Sequence, residues 1–218
     1  MKSTSHKNPE SSPDLFDNAF LNKLTRTHVA FPVSIFFIYA AGLLYYTISK
    51  VHLPVWSVVV LFFAGILLFT LAEYVIHRWI YHPPENASQG FVDFTYKVHG
   101  IHHDYPKDKQ RLAMPPWLSV LVATVLLFFF ELFLGRYGFS LLAGFLTGYA
   151  SYLLVHYVVH IYPMPKNIFR ALWVNHAIHH YSEDEILFGV SSPLWDYVFG
   201  TLPQKDWKKE ISVKRDRV

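Results

Sequence analysis

The chain has 218 residues, of which 52% are apolar and only 16% charged, and its mean hydropathy is +0.23. That balance points to a membrane. The complete absence of cysteine excludes thiolate-ligated haem, cysteine-ligated iron–sulfur clusters, zinc fingers and disulfide frameworks. The net charge of +3 gives no reason to expect a nucleic-acid partner, but its distribution is informative.

In chain order, residues 1–28 read as a cytosolic N-terminal tail, disordered over 1–13 where two prolines and several serines fall. It has no signal-peptide core, so the first apolar stretch is expected to be an uncleaved anchor. Four stretches, 29–48, 53–72, 117–134 and 139–161, are near the ~20 residues needed to span hydrocarbon. Pro32 and Pro54 fall in first turns, where proline is tolerated. Two transmembrane hairpins, 29–76 and 117–161, follow from this. They alternate with cytosolic histidine-bearing segments at 77–116 and 162–218. Seventeen of the 19 Lys and Arg residues lie in the tail, the central segment and the C-terminal segment. The short turns 49–52 and 135–138 hold only Lys50 and Arg136. By the positive-inside rule both termini face the cytosol. The expected fold is therefore an all-α, multi-pass integral membrane protein: four transmembrane helices capped by a cytosolic helical domain.

Ten of the 13 histidines fall into four clusters: His77 and His82 in HRWIYH; His99, His102 and His103 in HGIHH; His156 and His160 in HYVVH; His176, His179 and His180 in HAIHH. Imidazole is the commonest protein ligand for first-row metals. Ten exceed what one ion takes, so a dinuclear site with about five nitrogens per ion is expected. The HxxHH residues stand at i, i+3 and i+4, on one face of a helix. His77 and His82, five apart, are awkward on a straight helix, and Pro83 and Pro84 suggest that the helix ends there and lets His82 swing inward. All four clusters sit at one end of the proposed bundle, where unpaired polar groups are costly. A metal transporter or sensor would string ligands through the midplane instead. No Glu-x-x-His pattern of the ferritin-like di-iron bundles is found. All-nitrogen sites of this size fit iron better than four-coordinate zinc, although zinc can load such a site in purified protein. Glu73, four residues before His77, is a candidate to orient that ring, the alternative being a helix-end carboxylate facing water.

These motifs, with DYPKDKQRLAMPP at 104–116 and FGVSSPLWDYVFGT at 188–201, resemble the fatty acid hydroxylase superfamily (sterol desaturases and fatty acid hydroxylases). The likeness runs over about residues 60–203 and is strongest to the fatty acid 2-hydroxylase branch. It implies that the ten clustered histidines hold two iron ions. It also implies O2-dependent hydroxylation of a lipid acyl chain beside its carbonyl. Leu153 stands where those hydroxylases carry Asp, after a matching Tyr152. This puts tuning of the metals, or substrate choice, in question. No haem-binding HPGG segment is found, so electrons are expected from a separate cytochrome b5-like or ferredoxin-like donor. By the same analogy, a bacterial inner membrane is favoured over an endoplasmic reticulum membrane. A desaturase, or a hydroxylase of sterol or carotenoid, uses the same ligand set and stays open.

Trp117, Tyr149, Tyr152 and Trp195 are candidates to line an acyl groove, with an interfacial belt as the alternative, favoured for Trp117. Asp196 is a candidate to hold a histidine through its other ring nitrogen, or a helix cap. Lys107, Lys109 and Arg111 form a basic run beside the second cluster, suited to anionic head groups or to solvent. His6, His28 and His52 belong to no cluster.

Overall fold

The computed structural model describes residues 11–203. It is helical, with no strand among the described residues. A short helix α1 (Ala19–Leu24) precedes α2 (Ala30–Tyr46) and α3 (Val55–Ile76). The short α4 (Gln89–Thr95) and α5 (Ile101–Asp104) follow. Then come α6 (Pro116–Leu134), α7 (Gly138–Ile161), α8 (Arg170–Tyr181) and α9 (Leu194–Phe199).

Among the described residues, three stretches are long and apolar enough to cross a membrane: Ala30–Val51, Val55–Tyr81 and Pro116–Ile161. The third has 46 residues, about twice what a bilayer needs. It is broken at Gly135, whose φ of +52° is left-handed backbone that glycine adopts without strain. Beyond the break α7 folds back along α6. The Phe130 and Phe145 rings, fifteen positions apart, stand 5.8 Å from centroid to centroid, whereas a straight helix would separate them by about 22 Å.

Helix α7 is the hub, packing against α3, α2 and α6. Its small residues Ser140, Ala143, Gly144, Gly148 and Ala150 are buried. A Cβ on Gly144 would collide with the Phe62 carbonyl, and one on Gly65 with the Leu141 carbonyl. Glycine at both positions therefore lets α3 and α7 backbones touch, the usual device where helices associate without a hydrophobic drive. The outer faces keep large apolar side chains exposed, among them Ile38, Val60, Phe63, Phe128 and Leu132. A contiguous coat of that kind suits lipid rather than water.

Of the stretch 1–13 expected to be disordered, the described end is held in place. Ser12 is buried and donates its backbone N–H and hydroxyl to Asp108 (2.9 and 2.6 Å). Arg26 donates to the Ser12 carbonyl (2.8 Å), and the Thr27 N–H donates to the Gln110 carbonyl (2.9 Å). Residues 12–27 thus form a strap over the 105–116 segment. Residues 1–10 and the basic end 204–218 lie outside the described residues.

Candidate metal centre

The ten clustered histidines converge as two groups of five at the ends of α3 and α7. His77, His82, His99, His103 and His179 form one; His102, His156, His160, His176 and His180 form the other. Within each group the five candidate ligand atoms all lie within 4.8 Å of one another. Each HxxHH motif is divided between them. His99 and His103 join the first group and His102 the second; His176 and His180 join the second and His179 the first. Successive helical residues point about 100° apart, so the i, i+4 pair faces one centre and the i+3 residue the other. This exchange gives the site a two-fold plan, and the stacked rings of His103 and His180, 4.1 Å apart, lie between the groups.

Local backbone explains the awkward spacing. His77–Tyr81 is a π-helical turn, and so is Tyr96–Gly100, which carries His99. An i→i+5 turn nearly superposes residues five apart, and such turns recur at functional sites. His77 and His82 therefore meet, with ring centroids 5.3 Å apart.

The contacts suit a cation better than hydrogen bonds. The Nε2 atoms approach at 3.1 Å (His77–His99), 2.9 Å (His99–His103), 2.9 Å (His102–His156) and 2.6 Å (His160–His176). Neighbouring nitrogens on one ion, at bonds of about 2.1 Å, stand about 3 Å apart. Buried Nε2 atoms of His82, His179 and His180 have no protein partner. His77 Nδ1 donates to the Phe188 carbonyl (2.6 Å) and His179 Nδ1 to the Ile186 carbonyl (2.8 Å), which leaves the Nε2 lone pairs turned toward the group. Burial, then the neighbouring imidazoles, holds His99, His102, His176 and His180 well below the usual histidine range. Burial likewise takes His103 down to about 3 and His179 to about 4. The rings are neutral, which is the ligating form. The residues fit two metal ions.

The carboxylates expected to touch histidines act one step further out. Glu73 accepts from the Val190 and Ser191 N–H groups (2.7 and 2.8 Å) and from the Ser191 hydroxyl, not from His77. Asp196 accepts from the Phe188 and Gly189 N–H groups (2.8 and 2.9 Å) and the Thr201 hydroxyl (2.8 Å), not from a histidine. Together they clamp the loop whose Ile186 and Phe188 carbonyls orient His179 and His77. Those carbonyls, with Ser191 and Thr201, went unnoticed in the sequence because backbone acceptors leave no spacing signal.

A cavity of about 720 Å³ opens beside the histidines between α3, α6 and α7. His77, His99, His102 and His156 form part of its wall, and Leu126 and Phe145 lie toward its apolar end. Trp117, Tyr149, Tyr152 and Leu153 line it as well. Trp195 does not: its Nε1 donates to Thr70 on α3 (3.0 Å). Tyr152 stacks on His156 with ring centroids 5.5 Å apart. Lys107 and Lys109 are exposed, whereas Arg111 turns to the strap and the cavity. His28 and His52 are exposed and join neither group; His6 lies outside the described residues.

Comparison with known proteins agrees with this geometry. The fatty acid hydroxylase family matches residues 62–201. A ceramide very long chain fatty acid hydroxylase of Schizosaccharomyces pombe is 34% identical over 200 residues, 90% of this chain and 56% of that protein. Human fatty acid 2-hydroxylase is 37% identical over 66% of this chain and 40% of its own length. A dihydroceramide fatty acyl 2-hydroxylase of Arabidopsis thaliana is 32% identical over 88% of this chain and 80% of its own. The solved hydroxylase domain of full-length scs7p superposes with a TM-score of 0.78 at 30% identity, covering 88% of this chain and 72% of that one. The chain thus spans about half the length of the first two relatives. All three are eukaryotic and lend nothing to the expectation of a bacterial membrane. With the family match covering well over half of its length, the chain belongs to the fatty acid hydroxylase family.

Proposed function

We propose that this protein hydroxylates a lipid acyl chain, at the carbon beside the carbonyl, as a membrane monooxygenase using O2. The carrying observation is the apolar cavity walled by histidines of both five-membered groups. The names of the relatives, fatty acid 2-hydroxylases and ceramide hydroxylases, point to the same chemistry. The ten histidines hold two ions, iron being favoured because five nitrogens exceed what structural zinc prefers. When bound, the iron pair supplies O2 activation, with electrons from a separate cytochrome b5-like or ferredoxin-like donor. The chain's own residues do the rest. The Ile186 and Phe188 carbonyls aim His179 and His77, while Glu73 and Asp196 hold the loop that bears them. Tyr149, Tyr152 and Leu153 wall the cavity at the level of His156 and keep water from the acyl chain. The break at Gly135 supports reading the third apolar stretch as two crossings, with α2–α3 and α6–α7 as two transmembrane hairpins, and the charge bias supports cytosolic termini.

The test is lipid mass spectrometry on a host that lacks such an enzyme, expressing the wild type or His179→Ala with and without oxygen. An O2-dependent gain of one oxygen on acyl chains, absent in the variant and located at the 2-position by fragmentation, is expected. Loss of two hydrogens would make the protein a desaturase. A sterol or carotenoid product would move the substrate away from acyl lipids.

A further inference from the structure

We propose that Arg111 donates a hydrogen bond from Nε to the carbonyl oxygen of the acyl lipid and so sets which carbon faces the histidine groups. The inference rests on the reading that the cavity takes an acyl chain. Arg111 Nη1 donates to the Thr25 hydroxyl (3.2 Å) and Nη2 to the Pro13 carbonyl (3.2 Å), so the strap fixes the guanidinium plane. Its Nε is buried and has no protein acceptor, although Arg111 lines the cavity. A buried N–H without an acceptor is costly, and one on a cation is a strong donor.

The surroundings narrow the acceptor. Leu112, Ala113 and Met114, next in the chain, give the cavity an apolar floor, and Leu15 and Phe16 of the strap close it on the other side. Asn22 holds that corner, accepting from the Leu15 and Phe16 N–H groups (2.9 and 3.0 Å). Lys97 is the other cation lining the cavity, and its ammonium lies over the Phe16 ring, 5.3 Å from the centroid. Glu73 also lines the cavity, but both of its oxygens accept from Val190 and Ser191. Among the described cavity residues Arg111 is thus the cation whose plane the strap fixes and whose Nε has no protein acceptor, which suits the oxygen of an acyl group.

Register does the rest. The backbone of Leu112 lies against His156, so Arg111 directly precedes a residue that touches a proposed ligand. From His156 to Phe145 along α7 is about 16 Å of cavity wall. A carbonyl held at Arg111 with its tail toward Phe145 must bring the adjoining carbons past His156 and His102. An acyl carbonyl can belong to a free fatty acid or to an N-acyl amide, and the shared acceptor does not separate them.

The absence of cysteine makes a direct test available. Two single-cysteine reporters are made in the full chain, Phe16→Cys at the strap and Val122→Cys on α6. Their maleimide labelling rates are titrated with palmitic acid and, separately, with N-palmitoyl ceramide. Both reporters should be protected by whichever lipid class binds. Adding Arg111→Gln should raise the half-protecting concentration about tenfold, the loss expected for one charged hydrogen bond, and Arg111→Lys should recover part of it. In cells, the Arg111→Gln product should spread from the 2-position to neighbouring carbons. Protection that is equal with and without Arg111→Gln, at undiminished regioselectivity, overturns the proposal while leaving the acyl cavity intact. If neither lipid protects Val122→Cys, the acyl-cavity reading fails and the role of Arg111 fails with it.

Discussion

A histidine ligates only through an unprotonated nitrogen whose lone pair points at the ion, so the ring must be both neutral and aimed. Burial accomplishes the first for His103 and His179, and loop carbonyls accomplish the second for His77 and His179. The aiming depends on Asp196, which is fully buried and satisfies two backbone N–H groups and one hydroxyl. Burial pushes its carboxyl up, against the pull of those donors. Asp196→Ala orphans the Phe188 and Gly189 amides, at about 1–3 kcal/mol for each buried group left unsatisfied. The expected outcome is a lower thermal midpoint together with reduced metal content, since the Phe188 carbonyl loses its fixed position. Metal analysis of the purified variant checks this; full metal occupancy with only a lowered midpoint would confine Asp196 to stability. The histidines themselves were legible in the sequence because ligand chemistry leaves residue types at fixed intervals. Asp196 and Glu73 were legible as polar residues near histidines, but their partners were not, because those are backbone amides brought near by tertiary packing.

At the scale of elements, the four long α-helices were legible from apolar run length, whereas the two histidine-bearing π turns and the strap were not. A π turn is one extra residue accommodated within a helix, and nothing in HRWIYH or YKVHG announces it except the misfit of His77 and His82 with an α-helical face. Ser12 and Pro13 of the strap belong to a stretch with the composition of a loose tail, and the order there comes from Asp108, ninety-six positions away from Ser12. Burial raises the Asp108 carboxyl, but hydrogen bonds from Ser12 and Gln110 and the nearby Arg26 outweigh it and leave the group below the usual carboxylate range. A carboxyl whose folded pKa is depressed lends stability that is fully present above its unfolded value and is lost as pH falls through the folded one. Acidification below about 4 should therefore loosen the strap. Limited proteolysis between residues 12 and 27 with an acid-active protease should rise over that range in the wild type. In Asp108→Asn it should already be high at the start of that acid range and nearly flat below it. A wild-type profile that is equally flat would mean the other ties, Thr27 to Gln110 and Arg111 to Pro13, hold the strap alone.

At the scale of the whole molecule, the histidine groups and the strap gather at one end of a bundle whose opposite end carries the turns at Lys50 and Arg136. The charge bias of 17 basic residues against two orients that bundle only if the Pro116–Ile161 stretch crosses twice. Gly135 is the physical reason to expect it, since a left-handed residue ends α6 and the Phe130–Phe145 contact requires reversal. Lys50, Lys107 and Arg136 are all exposed, so each can be replaced by a lone cysteine in the cysteine-free chain without disturbing the core. In intact cells a membrane-impermeant maleimide should label Lys50→Cys and Arg136→Cys at once and Lys107→Cys only after permeabilisation. Labelling of Arg136→Cys together with Lys107→Cys, and apart from Lys50→Cys, would mean that the α6–α7 pair enters and leaves on one face. The cavity between α3, α6 and α7 would then meet the bilayer from its surface, and an acyl chain would have to bend to reach His156. Labelling on opposite sides instead leaves the cavity open to the hydrocarbon along α6, the direction from which a straight acyl chain can slide in with its carbonyl leading toward Arg111 and its tail toward Phe145.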